Sequence, residues 1–135
     1  YQDIGIEIEM AQFKLAENSL STYGVMCRVQ PNGDGYAFRI TSDGQYVIEE
    51  YRNGIFQPIN GWKYSEAIKA NKEVNQNKIR VECKGNQLSL SVNGQVLDIA
   101  LNDTYSEGNI ALIVQAGGAG SSAEVHYVNL YLRQP

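Results

Sequence analysis

Hydrophobic and polar residues alternate with a period of two over most of this chain, and turn residues break the alternation every 8–12 positions or so. The clearest stretch is 78–101. Ile79, Val81 and Cys83 alternate with Arg80, Glu82 and Lys84, and Leu88, Leu90 and Val92 repeat the pattern against Gln87, Ser89 and Ser91. Gly85-Asn86 and Asn93-Gly94 are the breaks, and Asn-Gly is a strong hairpin signal because both residues tolerate positive φ. The stretch therefore predicts three strands joined by two tight turns, with one apolar face that must lie on a second layer.

The rest of the chain supplies that layer. Ile4, Ile6, Ile8 and Met10 oppose Gly5, Glu7 and Glu9; Val25, Cys27 and Val29 point inward from 23–30; Tyr36, Phe38 and Ile40 follow the turn at 31–35. In 45–52, Tyr46, Ile48 and Glu50 oppose Val47, Glu49 and Tyr51, and Asn53-Gly54 closes a hairpin into Ile55-Phe56. Ile110, Leu112 and Val114 share one side of 109–115. In 123–132 the inward set Val125 and Tyr127 changes phase to Leu130 and Leu132, which predicts a bulge near Val128-Asn129. Residues 16–22 read as a polar loop and 116–122 as a small-residue surface loop. The pattern fails over 58–77, where Ser65 as an N-cap predicts one short helical turn near 65–69. About nine strands with hairpin turns make an all-β, antiparallel two-sheet sandwich, one domain over 1–135.

Charge narrows the partners. Lys and Arg number 11 against 15 Asp and Glu, for a net charge of −4, and no basic run is present, which argues against a nucleic-acid surface. No apolar run reaches the ~18 residues of a membrane-spanning helix. The first residue is Tyr1 rather than Met, with no signal peptide, and the reading is a processed or excised piece of a longer product. The two cysteines, Cys27 and Cys83, each lie in phase with inward apolar residues. They can pair if their strands are adjacent on one sheet, contributing up to about 4 kcal/mol, or stay as two buried core thiols. With the single His126 and no CxxC spacing they cannot build a structural zinc site.

Several segments resemble the concanavalin A-like lectin/glucanase jelly roll, in particular the laminin-G-like domains of exported bacterial proteins. They are Tyr23-Gly24-Val25-Met26-Cys27-Arg28, Tyr36-Ala37-Phe38-Arg39-Ile40, Asp43-Gly44-Gln45-Tyr46 and Trp62-Lys63-Tyr64-Ser65-Glu66-Ala67-Ile68. Val81-Glu82-Cys83-Lys84-Gly85-Asn86, Val92-Asn93-Gly94, Asp103 to Leu112 and Tyr127-Val128-Asn129-Leu130 complete the series. The resemblance implies a jelly-roll sandwich, cysteines on neighbouring strands joined as Cys27–Cys83, and a secreted or cell-surface location. Such domains carry further strands before the equivalent of Asp3, so N-terminal strands are expected to be lacking or supplied by another segment. Val128 stands where the family often has Asp.

Catalysis finds little support. The related glucanases use three alternating carboxylates on one strand, and retaining hydrolysis needs two carboxyls about 5–5.5 Å apart. Glu7 with Glu9, and Glu49 with Glu50, do not make such a set, and His126 has no nucleophile beside it; no enzyme is expected. Binding is the better expectation. Tyr51, Trp62, Tyr64 and Tyr105 lie near turns or in the irregular segment, where aromatic faces stack on sugar rings; the competing account is that Trp62 and Ile68 plug the sandwich end. Asp34, Asp43 and Asp103 are a thin case for Ca²⁺, which takes six to eight oxygens, and no other cofactor is implied. The expectation is a non-catalytic extracellular recognition module for carbohydrate or a cell-surface protein. The alternative is a structural subunit of an extracellular assembly, completed by strand exchange with a neighbour.

Overall fold

The computed structural model describes residues 1–15, 22–68, 75–115 and 123–133. The described chain runs through β1 (Ile4–Leu15), β2 (Thr22–Val29), β3 (Gly35–Thr41), β4 (Gln45–Arg52), β5 (Ile55–Pro58) and β6 (Lys63–Tyr64). It continues through β7 (Asn75–Lys84), β8 (Gln87–Val92), β9 (Gln95–Leu101), β10 (Asn109–Gln115) and β11 (Ala123–Arg133). One sheet has five strands in the order β11-β1-β7-β8-β9. The other has six, in the order β10-β2-β3-β4-β5, with β6 pairing the far end of β4. The two antiparallel sheets stack as a sandwich.

The alternation explains what lies between them. Ile4, Ile6, Ile8, Ile79, Val81, Leu88, Leu90 and Val92 come from the five-stranded sheet; Tyr23, Val25, Tyr36, Phe38, Ile40, Tyr46 and Ile48 come from the six-stranded one. Each is buried, and each belongs to the inward set of its strand. The tight turns follow their residues: Asn53 and Asn93 sit at φ +53° and +51° ahead of Gly54 and Gly94, as a two-residue hairpin with positive φ at both centres requires. The bulge in the last strand is present. Glu9 pairs Asn129 while Met10 pairs Tyr127, leaving Val128 as the extra residue. The loop expected at 116–122, and most of that at 16–22, lie outside the described residues.

Three expectations need correction. Cys27 and Cys83 are bonded, but their strands are not neighbours in one sheet: β2 and β7 belong to opposite sheets, and the bridge crosses the core with the Cα atoms 6.8 Å apart. Two inward-facing residues meet equally well across a sandwich as along a sheet, and periodicity does not distinguish the cases. No helix occurs among the described residues, and 66–68 is a turn. The Ser65 hydroxyl does accept from the Ala67 amide (3.1 Å), but Ile68 N–H returns to the Ser65 carbonyl and the Ala67 carbonyl is taken by Asn93 Nδ2 (2.7 Å). Burial of Ile68 in the core and that side-chain bond end the turn where a helix would need free carbonyls. Strand count is the third: eleven strands are described rather than about nine, because the segment after Asn53-Gly54 pairs with β4 at both of its ends.

One strand inverts. Register slips between Leu90 opposite Asp98 and Ser91 opposite Val96, so Leu97 is an extra residue in β9. Beyond it Asp98 and Ala100 face inward, while Val96, Ile99 and Leu101 are exposed on the outer face.

Candidate functional site

The outer face of the six-stranded sheet gathers the side chains that can meet a ligand. Residues paired across strands point to the same side. Gly35 pairs Tyr51, which pairs Phe56; Ala37 pairs Glu49, which pairs Pro58; Arg39 pairs Val47; Gln45 pairs Tyr64. All of these lie on the face turned away from the core. Arg39 and Glu49 are diagonal neighbours there, and Arg39 Nε donates to Glu49 Oε1 at 2.6 Å. Arg39 Nη1 also donates to the Thr22 hydroxyl at 3.3 Å. Both charged groups are buried, Glu49 to within 2 % of full burial, although they sit on an outer face.

Aromatic rings cover the pair. The Phe56 ring lies over the Arg39 guanidinium carbon at 4.0 Å, and the Trp62 ring centroid is 5.4 Å from it. Tyr51 packs on Phe56 with centroids 4.5 Å apart and planes tilted by 50°. A planar guanidinium between ring faces is held by dispersion and by the ring quadrupoles, and its bond to Glu49 fixes its rotation. The result is a line Tyr51–Phe56–Arg39–Trp62 over the sheet. Trp62 is 39 % exposed and Tyr64 62 % exposed.

Three of the four aromatics expected to bind share this face: Tyr51, Trp62 and Tyr64. Tyr105 does not join them. It sits between β9 and β10, its ring 5.4 Å from that of the buried Tyr36 at an interplanar angle of 69°, and its amide donates to the Tyr36 hydroxyl at 3.0 Å. Arg39, Glu49, Phe56 and Thr22 were absent from the sequence-based set. A signal for the first two existed: counting back from the turn at Ser42-Asp43-Gly44 sets Arg39 opposite Val47, one diagonal step from Glu49.

The other acidic residues are separated. Glu50 points to the opposite side from Glu49 and pairs Arg52 at 2.5 Å. Asp34 accepts from Asn32 Nδ2 and the Asn53 amide, and Asp43 from the Thr41 hydroxyl and Gln45 Nε2. Among the described residues no three His, Cys, Asp or Glu side chains converge as a metal site. The side chain of His126 lies outside the described residues. On the five-stranded sheet a groove of about 350 Å³ runs between Arg80, Glu82, Ser89, Ser91 and Val96, but it carries no aromatic side chain, and its charges pair with one another as Lys78–Glu7 (3.1 Å) and Arg80–Glu82 (3.0 Å).

No protein-family model and no curated protein sequence matches the chain. Solved structures do. The carbohydrate-binding module CBM66 from Bacillus subtilis superposes with a TM-score of 0.79 at 15 % identity, over 99 % of this chain and 76 % of that one. Sheep galectin-11, in complex with glycerol, gives 0.67 at 12 % identity over 98 % and 91 %. The family 7 alginate lyase A1-II′ gives 0.60 at 9 % identity, covering 98 % of this chain and 61 % of the lyase. All are concanavalin A-like jelly rolls, and the chain has that fold.

Proposed function

We propose that the chain is a non-catalytic carbohydrate-binding module whose ligand lies on the outer face of the six-stranded sheet, against Trp62 and Tyr64 and beside the Arg39–Glu49 pair. The carrying observation is the aromatic line built around a buried ion pair on that face. Sugar rings present an apolar C–H face and a rim of hydroxyls. Trp62 and Tyr64 offer exposed ring faces for the first, and the Gln45 amide beside Tyr64 suits the second, while the buried ion pair holds the rings from beneath. Burying an ion pair costs more desolvation than an apolar pair of similar volume, so a purely structural sheet face has little reason to hold one. The CBM66 and galectin likenesses are in keeping with this reading, and the alginate lyase shows that the same fold also serves an enzyme. Against catalysis here stand the engagement of Glu49 by Arg39 and the placement of Glu50 on the opposite side. The disulfide is in keeping with a secreted or cell-surface location.

The test is affinity electrophoresis of the native chain in gels containing galactan, mannan, β-glucan, fructan or alginate. At least one polysaccharide should retard the wild-type chain. Trp62→Ala and Tyr64→Ala should each weaken that retardation by about tenfold or more, while the thermal midpoint moves by only a few degrees because neither ring belongs to the core between the sheets. Full retardation of the Trp62→Ala/Tyr64→Ala double variant would move the site elsewhere.

A further inference from the structure

Trp62 reaches its place on a short connection, residues 59–63, that leaves one sheet, touches the other and returns. Ile59 N–H donates to the Ile48 carbonyl at 2.9 Å, keeping the chain beside β4. Asn60 then turns to the edge of the five-stranded sheet, where its Nδ2 lies 3.2 Å from Asp98 Oδ1 and 3.2 Å from the Ile99 carbonyl. Gly61, at φ +80°, reverses the chain, and Trp62 comes back over Arg39. Lys63, paired with Tyr46 on β4, extends its ammonium to 3.6 Å from the same Asp98 oxygen. The anchors at 60 and 63 thus straddle Trp62 and converge on one atom.

That atom is itself fixed. The β9 bulge at Leu97 turns Asp98 inward, its own Oδ1 accepts the Ile99 amide at 2.9 Å, and the residue is buried. The second oxygen, Oδ2, is buried with no hydrogen-bond partner. A buried carboxylate with an idle acceptor is unfavourable at a position flanked inward by Leu90 and Ala100, where an apolar residue would complete the pattern. We infer that Asp98 is a positioning residue: it clamps the 59–63 connection across the gap between the sheets and so holds Trp62 against Arg39 in the orientation a ligand meets. The five-stranded sheet, which carries none of the binding face, thereby sets the geometry of that face. The effect on affinity rests on the carbohydrate-binding reading; the clamp does not.

Trp62 is the chain's single tryptophan, so its fluorescence reports the clamp directly. Asn60→Ala and Asp98→Ala are compared with wild type by acrylamide quenching of the folded chain, together with gel retardation by whichever polysaccharide retards wild type. In both variants the quenching constant should rise about twofold as the ring gains solvent contact, and retardation should weaken about tenfold because the ring is no longer held in its binding orientation. Asn60 is exposed and outside the core, so Asn60→Ala decides the matter even where Asp98→Ala fails to fold. Unchanged quenching in folded Asn60→Ala overturns the clamp, whatever the binding shows. Raised quenching with no polysaccharide retarding wild type upholds the clamp and rejects the carbohydrate reading.

Discussion

At Arg28 the backbone lies at φ +52°, a left-handed conformation that costs an L-residue roughly 1–2 kcal/mol. It coincides with a bulge: Val29 pairs Asn109 while Met26 pairs Ala111, so two residues of β2 face Ile110. The kink turns the Arg28 side chain under the end of the sandwich, where it is buried and donates to the carbonyls of Gln2 (3.1 Å), Gly85 (2.6 Å) and Tyr105 (3.1 Å), with Asp3 Oδ1 at 3.4 Å. One guanidinium thus joins the N-terminal segment, the β7–β8 turn and the β9–β10 connection. Gly108 passes so close that a Cβ there would lie 2.4 Å from the Arg28 carbonyl carbon. Arg28→Met, which keeps the length and removes the donors, should cost about 3 kcal/mol in urea unfolding, because three part-buried carbonyls lose a charged donor. A loss below about 1 kcal/mol would mean that water replaces the guanidinium. Nothing in the alternation marks Arg28 as buried: it follows Cys27 on what a regular strand would make the outer side, and only the bulge brings it in.

Elements were legible where local chemistry decides them. Asn53-Gly54 and Asn93-Gly94 dictate their hairpins, and the phase change from Tyr127 to Leu130 locates the Val128 bulge without reference to any neighbour. The inward side of β9 was not legible, because the apolar residues of 95–101 follow no strict alternation and the bulge at Leu97 appears only once the partner register is known. The cysteines show the same limit, since inward phase says that a thiol is buried but not which sheet faces it. The observed bridge closes a sequence separation of 56 between strands of opposite sheets, and closing a loop of that length in the unfolded chain corresponds to about 4 kcal/mol. The Cys27→Ala/Cys83→Ala variant should therefore lose about that much unfolding free energy, seen as a lower urea midpoint, with an m-value raised as the unfolded chain expands. An unchanged midpoint would show that the sheets are held together without the bridge. The aromatic line was half legible for a related reason: Tyr51, Trp62 and Tyr64 stand out by type and place, whereas Phe56 and Arg39 join them only once β5 folds back on β4.

Across the whole molecule, β2 and β7 face each other through the core and are tied at three levels. Asn77 Nδ2 donates to the Tyr23 hydroxyl at 3.0 Å, Cys27 bonds Cys83, and Arg28 donates to Gly85. The ties fall in the same order along both strands, so the two run in the same sense across the sandwich. Tyr36 on β3 makes a separate tie to the segment after β9, its hydroxyl donating to Asn102 Oδ1 at 2.6 Å and accepting from the Tyr105 amide. These phenols bear on the pH dependence of stability. Burial raises the pKa of Tyr23, opposed by the Asn77 hydrogen bond, and burial likewise raises that of Tyr36, opposed by the bond from the Tyr105 backbone. A group whose folded pKa lies above its unfolded value holds its proton more tightly when folded. Its contribution to stability is complete below the unfolded value of about 10 and falls as pH rises through the folded one. The urea midpoint should thus stay level in this respect up to about pH 10 and drop above it. The chain's two cysteines are both in the bridge, so thiol exchange does not supply that drop. The Tyr23→Phe/Tyr36→Phe variant removes both ionisations and should show a shallower alkaline limb, despite a lower midpoint at pH 7 where Asn77 and Asn102 lose a partner. An equally steep limb in that variant would assign the alkaline loss to other groups.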